Sequence, residues 1–103
     1  MNESNIKEIS PLGKLIADFL KAKHCGSEKA IKAVDIKRYF TLTPRQIRLL
    51  VNELRMAGVP ICSGGEGYYY AANNEEVEKT QKVMRSQAMS MLAAADGMNL
   101  NII

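Results

Sequence analysis

Hydrophobic residues recur along the chain with a spacing that changes from helical to extended and back to helical. In the first half they recur every three or four positions, which predicts helices over 11–23, 33–40 and 44–57. Between 58 and 72 the pattern becomes extended and predicts two short strands joined by a glycine-rich turn. Helical spacing returns at 74–95, where a fourth and longer helix is expected.

Capping residues indicate where three of these helices begin. The pairs Ser10-Pro11 and Thr43-Pro44 each combine a side-chain oxygen that can cap the first turn with a proline whose missing N–H costs nothing there. Asn73, with Glu76 three residues later, predicts a capping box for the fourth helix. Gly58 is suited to end the third helix because it tolerates the left-handed conformation.

The apolar faces of the helices predict the hydrophobic core. The candidate core residues are Leu12, Leu15, Ile16, Phe19 and Leu20 in the first helix, Val34, Ile36, Tyr39 and Phe40 in the second, and Ile47, Leu50, Val51 and Leu54 in the third. The segment 29–32 is expected to add a short β ladder. The fourth helix has an apolar stripe of its own, which packs either on the first helix or on a second chain: Val77, Met84, Ala88, Met91, Leu92 and Ala95.

This order of elements is that of a winged helix-turn-helix. The predicted fold is therefore α+β and mostly helical, with a three-helix core, a short β-hairpin wing and an added long C-terminal helix. A chain of 103 residues has room for one hydrophobic core. We expect the winged helix-turn-helix domain at 10–72, the C-terminal helix at 73–97 and flexible tails at 1–9 and 98–103.

Charge is distributed unevenly along the chain. The net charge is only +3, yet the segment 29–57 contains seven lysine and arginine residues and only two acidic residues. The segments on either side are neutral or slightly acidic. A basic centre that coincides with the predicted helix-turn-helix indicates a localised anionic partner, for which double-stranded DNA is the first candidate.

The third helix has the residue types that reading DNA requires. Its polar face carries Arg45, Gln46, Arg48, Asn52 and Arg55. Near the start of the helix, Arg45 and Arg48 can pair with guanine and Gln46 with adenine. The remaining candidate DNA-binding residues are placed to reach phosphate: Thr43 and Asn52, Lys37 or Arg38 before the helix, and Ser63 and Gly65 in the hairpin.

The most specific stretch, TLTPRQIRLLVNELRMAGVPICSGGEGYYYA, resembles the winged-helix domains of the biotin-operon-repressor type and their phage-encoded relatives. The residues that match the family pattern are Arg45, Ile47, Arg48, Leu54, Arg55, Gly58, Pro60, Ile61, Gly67, Tyr68 and Tyr69. The resemblance covers roughly half of the chain. It implies DNA binding in transcription or replication, with recognition by residues 43–52. Glu66 near the wing tip departs from the pattern, and the biotin-ligase region that can follow such a domain is not part of this sequence.

Other chemistries find little support in the residue pattern. His24 and Cys25 are adjacent, but they have no carboxylate partner nearby and Cys62 is the only other thiol, so a loop or core role is favoured over a metal site or a nucleophile. The glycines at 64, 65 and 67 lack the Lys-Ser/Thr of a phosphate-binding loop, and a turn explains them better. The tyrosines at 68–70 are expected to be structural. We therefore predict no enzyme activity, no metal and no cofactor.

Two functions from different classes remain after these exclusions. The first is a DNA-binding regulator or replication accessory factor of phage or bacterial type. The alternative is a protein-interaction module that uses the winged-helix scaffold and the C-terminal helix. A homodimer through that helix is weighed equally with a monomer, and a small-molecule effector is not expected. The sequence shows no signal-peptide or membrane-spanning pattern, so a cytoplasmic location is expected.

Overall fold

The computed structural model describes residues 9–98 and 100, and over these residues the chain is α+β and mostly helical. In chain order the elements are α1 (Pro11–Lys23), a 3₁₀ turn (Ser27–Lys29), α2 (Ala33–Ile36), α3 (Pro44–Met56), β1 (Ile61–Gly64), β2 (Gly67–Tyr70) and α4 (Asn74–Gly97). The two strands form an antiparallel hairpin. The segments predicted as flexible tails, 1–9 and 98–103, lie mostly outside the described residues.

The long helices begin where the capping residues predict. The Ser10 side chain accepts a hydrogen bond from the Gly13 amide at 3.1 Å, which satisfies one of the free N–H groups of the first turn of α1. At the C-terminal end of α3, Gly58 adopts φ +94° and the Val59 amide donates a hydrogen bond to the Leu54 carbonyl at 2.9 Å. These are the features of a glycine-terminated Schellman ending, so the predicted end of α3 is confirmed.

The core lies where α1, α2, α3 and the hairpin meet. Its buried members are Ile16, Leu20, Ile31, Ile36, Ile47, Val51, Leu54 and Ile61. Leu12, Phe19, Phe40 and Leu50 pack against this cluster while staying partly exposed. The predicted core is therefore confirmed for most positions of α1 and α3.

The core prediction is wrong for three residues, of which one lies in α2, one follows it and one lies in α1. Val34 and Tyr39 are 62% and 65% exposed, and Leu15 on α1 is 58% exposed. The predicted helix 33–40 is also shorter, since α2 ends at Ile36 and turns continue to Tyr39. The reason is geometric: Ile36 and Phe40 share one helical face, whereas Val34 is about 200° away from Ile36 and cannot reach the same core.

The hairpin is joined to the segment that precedes α2. Ile31 forms a single bridge with Tyr68 through two backbone hydrogen bonds of 2.8 Å, which confirms a minimal β ladder within 29–32. Gly67 lies at this contact with φ +119°, and a Cβ built there would lie 2.3 Å from the Ile31 carbonyl oxygen. Only glycine allows the two backbones to approach so closely.

Only one of the two hydrogen bonds of the predicted capping box forms at the start of α4. Asn73 accepts from the Glu76 amide at 3.0 Å, as expected. The Glu76 carboxylate, however, does not return to the Asn73 amide: it accepts from the Ala72 amide at 2.8 Å and from the Ser27 amide at 2.9 Å. Glu76 therefore ties α4 to the loop after α1, which is a tertiary contact that the local pattern did not predict.

Candidate nucleic-acid interface

One face of α3 is buried and the opposite face is open to solvent. Ile47, Val51 and Leu54 are at most 1% exposed, so the rotation of the helix about its axis is set by the core. The open face contains only exposed side chains, and these are Arg45, Arg48, Leu49, Asn52 and Met56. The structure therefore presents a mixed basic and apolar surface along the length of α3.

Arg45 and Arg48 are the charged groups of this surface. Both are exposed, and within residues 9–98 and 100 neither takes part in an ion pair. Two guanidinium groups on successive turns of one helix, free of neighbouring carboxylates, keep their five donors each available for an external acceptor. This arrangement can bind phosphate oxygens or the O6 and N7 atoms of guanine.

Thr43 and Gln46 form a complete capping box at the start of α3. The Thr43 hydroxyl accepts from the Gln46 amide at 3.2 Å, and the Gln46 carboxamide oxygen accepts from the Thr43 amide at 2.9 Å. Reading adenine with both ends of a glutamine side chain needs that oxygen as an acceptor. The predicted adenine contact by Gln46 therefore competes with the cap. The side-chain nitrogen of Gln46 and the hydroxyl hydrogen of Thr43 remain free to donate.

Lys37 and Arg38 lie in the turns that follow α2, and α2 packs on α3. Lys37 is exposed. Arg38 Nε lies 3.8 Å from Asp35 Oδ1, but both side chains are largely in solvent, so this ion pair contributes little and Arg38 can exchange it for another anion. The basic residues before α3 thus lie directly after the element that packs on α3.

Asn52 lies one helical turn beyond Arg48 and is also exposed. Its side-chain nitrogen approaches the Met56 sulfur at 3.8 Å, which is a weak contact. The carboxamide therefore keeps both its acceptor and its donors for an external group.

The hairpin contributes two further predicted residues. Gly65 lies in the exposed two-residue turn between β1 and β2, next to Glu66, which puts a carboxylate at the tip. Ser63 is half-buried on β1, and its hydroxyl accepts from Arg55 Nη2 at 3.0 Å. The Ser63 side chain therefore has an internal partner, and the backbone of Gly65 is the more accessible of the two.

The prediction that Arg55 lies on the outward polar face of α3 is wrong. The side chain is half-buried and bends to the hairpin, where Nε donates to the Ile61 carbonyl oxygen at 2.7 Å. Burial lowers the pKa of the guanidinium from its usual range, although an arginine stays protonated at any physiological pH. Arg55 therefore fixes the hairpin to the C-terminal end of α3 rather than facing a ligand.

Leu49 and Met56 are the residues of this face that sequence reasoning missed. They are 57% and 59% exposed, and Leu49 lies between Arg45 and Asn52 on the open side of the helix. The signal was present in the sequence, because Leu49 lies off the stripe formed by Ile47, Val51 and Leu54. An exposed leucine beside arginines is suited to contact the 5-methyl group of thymine.

The other residues considered for binding or catalysis are His24, Cys25 and the tyrosines of the hairpin, and they contact other parts of the domain. The His24 ring nitrogen Nδ1 lies 2.8 Å from the Lys29 carbonyl oxygen, and Cys25 is exposed with only a long contact to the Ala71 carbonyl oxygen. Tyr69 is buried between the hairpin and α4, and burial raises its pKa above the ordinary value. Among residues 9–98 and 100, no three His, Cys, Asp or Glu side chains lie close enough together to hold a metal ion.

No family model, curated protein sequence or solved structure matches this chain. Within the part of the chain that the structure describes, no helix combines the length and the apolar character that crossing a membrane requires.

Proposed function

We propose that the chain is a winged helix-turn-helix protein that binds duplex DNA and places the open face of α3 in the major groove. The observation that carries the proposal is the pair Arg45 and Arg48, exposed and without an acidic partner among the described residues, directly opposite the buried face of the helix. An α-helix with its side chains is about 10–12 Å across and the major groove is about 12 Å wide, so α3 fits into the groove.

The surroundings of α3 support the same proposal. Lys37 and Arg38 lie on the neighbouring element and supply positive charge at its flank, as phosphate contacts require. The order of helices followed by a hairpin also agrees with the winged-helix pattern that the sequence resembles. On this basis we propose a role in transcription or replication of a phage or bacterial genome, acting in the cytoplasm without catalysis.

The proposal can be tested by selecting binding sites from random duplexes and titrating the best site at several salt concentrations. We expect affinity to fall steeply with salt, because each neutralised phosphate releases bound counterions. The Arg45→Ala/Arg48→Ala variant should bind the selected site at least about thirtyfold more weakly, since each base-reading arginine contributes about 1–3 kcal/mol. Removing exposed side chains on one face of a capped helix should leave the unfolding temperature almost unchanged.

The matched control is Lys14→Ala/Lys23→Ala, which removes the same charge from exposed positions on α1. It should reduce affinity only slightly. Equal affinity of the wild-type protein and the arginine variant for the selected duplex would refute the proposal, and so would equal losses in the arginine variant and the lysine control.

A second candidate function is a protein-interaction module. It is favoured by Glu66 at the hairpin tip and by α4, most of which is exposed and which carries exposed apolar side chains such as Met91 and Leu92. A pull-down that recovers a partner through residues 77–95, together with failure of heparin and DNA columns to retain the protein, would support this function over DNA binding.

A further inference from the structure

Most of α4 extends away from the rest of the domain. Its first two turns pack on the hairpin, where Thr80 is only 7% exposed. From Gln81 to Gly97 every residue is exposed, which corresponds to about 25 Å of helix. The radius of gyration of 16.0 Å agrees with this, because a compact domain of about 100 residues has a radius near 13 Å.

The extended part of α4 is apolar on a broad face. Met84, Met89, Met91 and Leu92 are 39–73% exposed. Ala88, Met91 and Ala95 lie on the side of Met84, and Leu92 and then Met89 continue the apolar surface round to the adjacent side of the helix. The ten residues 86–95 contain no charged side chain. A helix of this length has marginal stability alone in water, and exposed apolar surface of this kind marks an interaction site.

The two charges that border this uncharged run have opposite signs. Arg85 precedes it and Asp96 follows it, and within the described residues neither forms an ion pair. They are eleven residues apart, which is three helical turns plus about 20°, so both lie on one side of the helix together with Met89 and Leu92.

We infer that α4 pairs with α4 of a second copy of this chain in an antiparallel, two-fold symmetric arrangement centred between Ser90 and Met91. Such a pairing places each Arg85 beside Asp96 of the other copy and packs Met89 against Leu92 across the axis. A parallel pairing would instead place Arg85 beside Arg85 and Asp96 beside Asp96. The charge pattern therefore favours the antiparallel form and a second copy as the occupant of this face.

The size of the paired surface sets the affinity to expect. Two helices of about 25 Å bury less area than the roughly 1,600 Å² of a standard protein interface. We therefore expect dimerisation in the micromolar range. This inference does not depend on DNA binding, because the pairing face is on α4 and the open face of α3 takes no part in it.

The test is sedimentation velocity of the full chain without DNA, from low micromolar to millimolar concentration. The mass should rise from 11.4 kDa towards twice that value. Leu92→Glu puts a charge in the pairing face and should weaken dimerisation more than thirtyfold. Ser90→Glu adds the same charge on the opposite side of α4 and is the control, with an expected change of less than about threefold.

Charge reversal tests the antiparallel register. Arg85→Glu and Asp96→Arg should each weaken dimerisation by roughly tenfold, because two attractive pairs become repulsive, and the double variant should regain wild-type affinity. A parallel dimer would show no such rescue. A protein that stays monomeric at millimolar concentration would overturn the inference, as would equal effects of Leu92→Glu and Ser90→Glu, and circular dichroism would show whether each variant keeps its helix content.

Discussion

Replacing Gly67 with alanine tests the close contact that fixes the hairpin to the body of the domain. Gly67 has φ +119°, and a Cβ at this position would lie 2.3 Å from the Ile31 carbonyl oxygen and 2.8 Å from the Lys32 amide nitrogen. These neighbours are backbone atoms, so no side-chain rotation can relieve the overlap. The positive φ costs an alanine about 1–3 kcal/mol. Separating the two segments would also cost the two hydrogen bonds between Ile31 and Tyr68, at about 1 kcal/mol each.

We therefore expect Gly67→Ala to lower the free energy of unfolding by about 3–5 kcal/mol, a large part of the stability of a small domain. Urea denaturation followed by circular dichroism measures this loss. Gly64→Ala is the matched control in the same hairpin: its Cβ would meet no atom within 4 Å and its φ is not positive, so a change below about 0.5 kcal/mol is expected. A loss below about 1 kcal/mol in Gly67→Ala, or equal losses in the two variants, would refute the reasoning.

Two further predictions concern Glu76 and Leu49. The amides of Ala72 and Ser27 lower the pKa of the Glu76 carboxyl, so its stabilising effect is complete above the ordinary value of about 4.3 and is lost as the pH falls through the lower folded value. Glu76→Gln should therefore have a lower melting temperature than the wild type at neutral pH, and this difference should disappear in acid. The neighbouring control Glu75→Gln should lower the melting temperature much less. Equal differences for the two variants would contradict a stabilising role of the Glu76 hydrogen bonds. For Leu49, replacing thymine by uracil in the selected duplex should cost the wild type about 1 kcal/mol at one position and cost Leu49→Ala nothing. Equal costs would exclude a methyl contact by Leu49.

Local signals predicted the elements well because they depend on neighbours in sequence. The Ser10 and Thr43 caps need only an oxygen, the following amides and a proline, and all of these lie within four residues. The hairpin likewise follows from a turn between two short extended segments. Even the exposure of Arg45 and Arg48 follows from the period of α3, since the stripe that is buried determines the face that is not.

The errors at Arg55 and Glu76 concern contacts with a different element of the fold. Arg55 has the correct helical position for the open face, yet its long side chain reaches two hydrogen-bond acceptors on the hairpin. Glu76 has the correct spacing for a capping box, yet the Ser27 amide from the loop after α1 competes for its carboxylate. In each case the residue type and position were correct, and the partner was supplied by the tertiary fold. Spacing along one helix carries no information about such partners.

The hydrogen bonds at the start of α3 limit which bases the proposed interface can read. Since the carboxamide oxygen of Gln46 is held by the Thr43 amide, Gln46 can donate to a base but cannot easily accept from one without breaking the cap. In the proposed complex the exposed side chains free to read bases are Arg45 and Arg48, suited to guanine, Leu49, suited to thymine methyl groups, and Asn52, whose free carboxamide is suited to adenine. Selected sites should therefore be defined by guanine and thymine contacts on α3, with any adenine contact made by Asn52, because an adenine contact through Gln46 would require the capping box to open.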